Sequence, residues 1–198
     1  MSRFEPIDIR FFAPRTPVGI VDYGDTAEAF MLRAVLEGMG AVTLLHQPGT
    51  PEDFLLILGQ EVNVPPYLVL CGHGDEVGFV FGEYVEGIDT SALSGTSMPP
   101  EAVARRVRLP GCVVLATGCS TGREAMGRAF LRGDARAYIA PDDDPDGNDV
   151  PMFLMHFFHR VLVRRATVEE AWAHAAGYDE AGRMFLLYTP DDVRRYAP

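Results

Sequence analysis

Apolar runs of strand length alternate along the chain with segments whose apolar residues recur at helical spacing. The runs are Val18 to Asp22, Ala41 to Leu45, Tyr67 to Cys71, Val113 to Thr117, Ala135 to Ile139 and the less regular Met184 to Tyr188. Between them, Thr26 to Glu37 places Phe30, Leu32, Val35 and Leu36 near one helical face. Pro99 to Val107, Arg123 to Leu131, Pro151 to Arg164 and Thr167 to Ala176 predict four further helices, and Thr167 with Glu170 has the spacing of a capping box. Unbroken apolar strands between helices are what a mainly parallel sheet covered on both faces requires. The pattern therefore predicts an α/β fold, a three-layer α/β/α sandwich around about six strands.

From Gly72 to Gly95 the rhythm changes to glycine-punctuated alternation, including Gly78-Phe-Val-Phe and Gly82-Glu-Tyr-Val. This predicts a small antiparallel β-hairpin after the third strand. The acidic stretch 142–149 is the one strong shift in composition, and it follows a strand. With 198 residues, no internal repeat and no low-complexity linker, the expectation is a single domain over 1–198.

Charge narrows the function. A net charge of -11 opposes binding to a phosphate backbone, and the densest basic cluster, Arg105, Arg106 and Arg108, fits the end of a helix better than a nucleic-acid footprint. The sequence contains no Lys, which removes Schiff-base chemistry, a phosphate-loop Lys and a kinase Lys. Three Cys without metal-site spacing read as free thiols. The longest apolar stretch, Val150 to Val163, is interrupted by His156, His159 and Arg160, and no leader pattern opens the sequence. A cytoplasmic protein that contacts neither membrane nor nucleic acid is expected.

Two motifs stand where strands end, the place at which functional groups gather in α/β sheets. In Leu68-Val-Leu-Cys-Gly-His-Gly-Asp75 a buried strand ends at His73 between Gly72 and Gly74, and the Gly74 N–H is left to donate to a ligand. In Val113-Val-Leu-Ala-Thr-Gly-Cys-Ser-Thr-Gly122 a strand turns sharply into a helix at Cys119, where a helix N-terminus would favour the thiolate. A thiolate nucleophile, a His acid/base and backbone oxyanion donors together suffice for acyl transfer.

In this order the motifs resemble the caspase-like (clan CD) cysteine peptidases, most closely the bacterial CHAT-domain peptidases. The resemblance runs from Tyr67 to Ala176. It takes in Gly72-His73-Gly74, Cys119-Ser-Thr-Gly122, Ala129-Phe-Leu-Arg-Gly133, Ala137-Tyr-Ile-Ala140, the acidic residues Asp142 to Asp144 and Val168-Glu-Glu-Ala171. His73 precedes Cys119 by about the 50 positions seen in caspases. The resemblance implies a thiol protease without an organic cofactor and with a protein or peptide substrate, and leaves room for a regulatory protein partner. His73 would be general acid/base, Cys119 nucleophile, and the Gly74 and Cys119 N–H groups the oxyanion hole. One of Asp142, Asp143 and Asp144 would receive a basic side chain before the scissile bond. Two departures are plain: Gly118 stands where the family usually has Ala, and the region Ala140-Pro141 replaces a frequent Trp. A catalytically silent caspase-like interaction domain is the alternative.

Other constellations remain open. Gly118-Cys-Ser-Thr-Gly122 fits the G-x-S-x-G elbow of serine hydrolases, with Ser120 as nucleophile, an acid from Asp142 to Asp149 and then His156, His159 or His174 in triad order. Asp142-Asp-Asp-Pro-Asp-Gly147 matches the first half of a Ca2+ loop, with Asp142, Asp144 and Asp146 as ligands, but Phe153 stands where a bidentate Glu belongs. His156 and His159 sit three apart on an apolar helix without acidic partners. His46, Cys71 and Cys112 carry no motif.

Overall fold

The computed structural model describes residues 15–197, and the single-domain expectation reaches beyond them at both ends. Among the described residues nine strands and six α-helices follow in the order β1 (Thr16–Asp22), α1 (Thr26–Gly38), β2 (Ala41–His46), α2 (Pro51–Leu58), β3 (Tyr67–Cys71), β4 (Phe79–Val80), β5 (Ser97–Met98), α3 (Pro100–Arg106), β6 (Val113–Ala116), α4 (Glu124–Arg132), β7 (Ala137–Pro141), α5 (Val150–Phe158), α6 (Val168–Ala176), β8 (Phe185–Tyr188) and β9 (Val193–Arg194). Seven strands form one sheet in the order β2-β1-β3-β6-β7-β8-β9. β2 through β7 are parallel, while β8 and β9 are added antiparallel. This is the expected three-layer α/β/α sandwich.

Alternation along each strand divides the core in two. Val18, Ile20, Val69, Cys71, Leu115 and Ile139 face α1, α5 and α6, where Phe153 stacks on Phe185 at 3.9 Å between ring centroids. Val21, Leu68, Leu70, Val114, Ala116 and Tyr138 face α2, α3, α4 and the β4–β5 ribbon, with Phe130 stacked on Tyr138 at 4.5 Å. Both layers bury large apolar side chains completely, which is why the strands read as unbroken apolar runs.

Three elements differ from expectation. The antiparallel ribbon after β3 exists, but β4 pairs with Ser97–Met98 instead of Gly82-Glu-Tyr-Val, which forms a loop with Glu83 and Val85 exposed. The reason is that Met98 can be fully buried against the core, whereas Val85 lies 78% exposed. Helix α2 was absent from the periodicity, yet its start is written in Thr50-Pro51: the Thr50 hydroxyl accepts from Asp53 N–H and Pro sits in the first turn. The helix expected over Pro151 to Arg164 is α5 followed by a wider π-type turn, His159–Val163. The capping box at Thr167 and Glu170 is present.

Candidate active site

Parallel pairing of β3 with β6 in the register Leu70 to Ala116 brings the two strand-end motifs side by side. Their backbones touch. A methyl group on Gly74 would lie 2.3 Å from the Cys119 carbonyl oxygen, and one on Gly118 would lie 2.8 Å from Gly74 N, from the His73 carbonyl carbon and from the Tyr23 hydroxyl. The Gly118 position thus has no room for the Ala usual in the resembled family, because the His73–Gly74 backbone and the Tyr23 hydroxyl occupy that space.

Tyr23, just past the end of β1, is a residue that the motifs did not reveal. Its ring is buried among Phe54, Phe79 and Phe81, and its hydroxyl donates to the His73 carbonyl at 3.0 Å. The same carbonyl accepts from Val80 N–H at 3.0 Å. Beyond Gly74, the Asp75 carboxylate accepts from the Val77 and Gly78 N–H groups and from the Ser97 hydroxyl at 2.6 Å. Burial alone would raise this carboxyl, but these hydrogen bonds prevail and hold it below its ordinary range. The His73–Gly74 peptide is therefore fixed from both sides. The His73 side chain is exposed, and the Gly74 N–H has no acceptor among the described residues.

Cys119 lies half-buried in a cleft of ≈ 370 Å³ lined by Gly74, Asp75, Ser120, Arg123 and the three acids Asp142, Asp143 and Asp144. The expected position at a helix N-terminus is not found. α4 begins at Glu124, and residues 118–122 form a separate turn closed by the Thr121 hydroxyl on the Gly118 carbonyl at 2.6 Å. Without that dipole, burial pushes the Cys119 thiol up, Asp144 adds to the effect, and its own backbone N–H only partly opposes them. Cys71 and Cys112 are buried with thiols pushed up, Cys112 to about 12, as inert core residues are.

Ser120 adopts a left-handed conformation with φ 57°. Its hydroxyl donates to Asp144 at 3.0 Å and its N–H to the Asp143 carbonyl, also at 3.0 Å. The histidines considered for Ser120 lie elsewhere: His156 packs against His174 and Tyr178, with centroids 5.7 and 4.0 Å away. The acids of 142–146 diverge, since Asp142 pairs with Arg195, Asp144 accepts from Ser120, and Asp146 accepts from the Asn148 backbone and side chain. No three His, Cys, Asp or Glu side chains converge as a metal site among the described residues. Nor is any helix there long and apolar enough to cross a membrane.

No family model matches the sequence, and no curated protein matches it. Solved structures resemble the fold. Gingipain R, an Arg-specific cysteine proteinase, aligns with a TM-score of 0.54 at 11% identity over 88% of this chain and 46% of its own. The Porphyromonas gingivalis RgpB complex of pro- and mature domains gives 0.53 at 13% identity over 84% and 44%. Saccharomyces cerevisiae separase, solved with securin, gives 0.54 at 12% identity over 91% of this chain and 12% of its own. The chain thus spans less than half the length of each of these three proteins. At these identities the likeness is one of architecture, and the architecture is the caspase-like α/β sandwich.

Proposed function

We propose that the protein is a caspase-like cysteine endopeptidase acting through His73 and Cys119. The observation that carries this reading is the direct contact of the Gly74 and Gly118–Cys119 backbones at adjoining parallel strand ends, with Cys119 opening into a cleft. His73 would take the thiol proton as Cys119 Sγ attacks the scissile carbonyl. The oxyanion would be received by the Gly74 N–H, with the Cys119 N–H as second donor. Collapse of that adduct breaks the C–N bond, the imidazolium protonates the leaving amine, and water then hydrolyses the thioester. No cofactor enters these steps. The order of motifs favours the CHAT-domain peptidases within the caspase-like group. The acidic wall of the cleft favours cleavage after Arg or Lys, Asp142 already holding the Arg195 guanidinium.

The test is reaction with an electrophilic peptide ending in Arg. Modification confined to Cys119 and lost in His73→Ala supports the enzyme. A second reading, a silent interaction domain, is favoured by the raised Cys119 thiol and by Arg195 on Asp142. It predicts an inert Cys119 even when Arg195 is removed.

A further inference from the structure

The cleft at Cys119 is one end of a longer trough. It shares Asp75, Glu76, Ser120 and Arg123 with a depression of ≈ 330 Å³ that passes over Gly78 and Met126. That depression in turn shares Pro100, Glu101 and Ala125 with a third, of ≈ 400 Å³, between α3 and α4. Ala104, Ala125 and Ala129 give the third depression a shallow floor free of long side chains, and Arg105, Arg128 and Arg132 rim it. Arg128 and Arg132 are four apart on α4 and so project from one face.

Charge reverses along this trough. The end at Cys119 carries Asp75, Glu76 and the acids 142–144 against Arg123, which is itself paired with Glu76 at 3.2 Å. The far end carries three Arg against the single acid Glu101. Arg128 is paired with Glu124, while Arg105 and Arg132 have no ion-pair partner among the described residues. In a chain of net charge -11 such a basic rim invites an acidic occupant.

We infer that a peptide substrate is read twice, at its scissile residue by the acidic cleft and at an acidic segment by the Arg105–Arg128–Arg132 end of the trough. This rests on the peptidase reading above. From Glu124 to Arg132 the helix rises about 12 Å. An extended peptide covers that length of helix in about four residues, and the turn from Cys119 to Glu124 adds to it, so the acidic segment is placed about four to six residues from the scissile bond.

Binding to the Cys119→Ser chain tests this without requiring catalysis. Fluorescent 13-residue peptides centred on Arg, carrying either Glu or Gln four to six residues to one side or the other, are titrated by anisotropy at low and high salt. For one placement the Glu peptide is expected to bind about fivefold tighter at low salt, as two or three exposed ion pairs allow. That advantage disappears in Arg105→Glu/Arg132→Glu and in high salt. Equal binding of Glu and Gln peptides in both placements, or an advantage untouched by charge reversal, overturns the inference. Wild-type chain incubated with the same peptides separates the two readings. An Arg-dependent Glu preference without any cleavage removes the peptidase and leaves the trough, whereas cleavage of all peptides at one rate removes the trough and leaves the peptidase.

Discussion

The Thr117 hydroxyl lies 3.0 Å from Oε2 of Glu28 and accepts the Gly72 N–H at 3.3 Å, so one side chain ties a carboxyl on α1 to the ends of both β3 and β6. The other carboxyl oxygen of Glu28 is buried and has no partner. Burial raises this carboxyl from 4.5 to about 7, with Thr117 opposing and Asp25 adding to the rise. Tyr23 and Cys71 are the other titratable groups near enough to feel Glu28.

The folded chain therefore holds a proton on Glu28 that the unfolded chain gives up at lower pH. The resulting stability is present in full below 4.5 and is lost as pH rises through about 7. The loss is on the order of 3 kcal/mol. In Glu28→Gln the amide can donate to Thr117, whose hydroxyl then turns to the Leu70 carbonyl, 3.3 Å away. This variant is expected to be more stable than wild type at pH 8 and to show a flatter profile between pH 4.5 and 7. Urea denaturation across that range checks it. An unchanged slope would show that Glu28 does not titrate there.

Asp144 raises the Cys119 thiol through its charge, second only to burial. Asp144→Asn is expected to speed alkylation of Cys119 by iodoacetamide a few-fold at pH 7.5, in line with an increase in thiolate. The rate-versus-pH curve should move to lower pH. An identical curve would assign the shift to burial alone.

Crowding at Gly118 gives a third prediction. Gly118→Ala places a methyl 2.8 Å from the Tyr23 hydroxyl and from Gly74 N, and is expected to cost about 1–3 kcal/mol. Tyr23→Phe removes one of these clashes and should recover part of that cost. A double-mutant cycle by denaturation reads the coupling. Strict additivity would mean that the clash with the backbone dominates.

Asp142 has a resident guanidinium in Arg195. If this carboxylate receives the substrate's basic side chain, Arg195→Ala should lower KM for Arg-containing peptides several-fold and leave kcat nearly unchanged. A KM that does not move places the basic-residue pocket elsewhere, at Asp143 or Asp144.

The strands that carry the site were legible because they are buried on both faces and therefore apolar throughout, as Tyr67–Cys71 and Val113–Ala116 show. That the two strand-end loops meet, at Gly74 and Gly118–Cys119, was legible only through motif order, since register is a tertiary fact. Tyr23 and Glu28 were not legible. Tyr23 just past β1 and Glu28 in α1 both sit where packing alone explains the pattern, and each acts through one polar atom whose partner lies 50 or 89 residues away in sequence. The thiol was misjudged because a strand-to-helix turn of unknown length does not disclose where the helix dipole begins. Ser97 as the partner of Asp75 was hidden by the loop between β4 and β5, whose exposed Val85 mimics strand alternation.

The contact between Gly74 and Gly118 leaves no gap for one loop to approach the other. The loops following β3 and β6 must therefore open and close as one cooperative unit, and their amides should exchange with solvent at matched rates. Control of the cleft then falls to what enters or leaves it, Arg195 or an occupant of the trough, while the frame that carries His73 and Cys119 stays rigid.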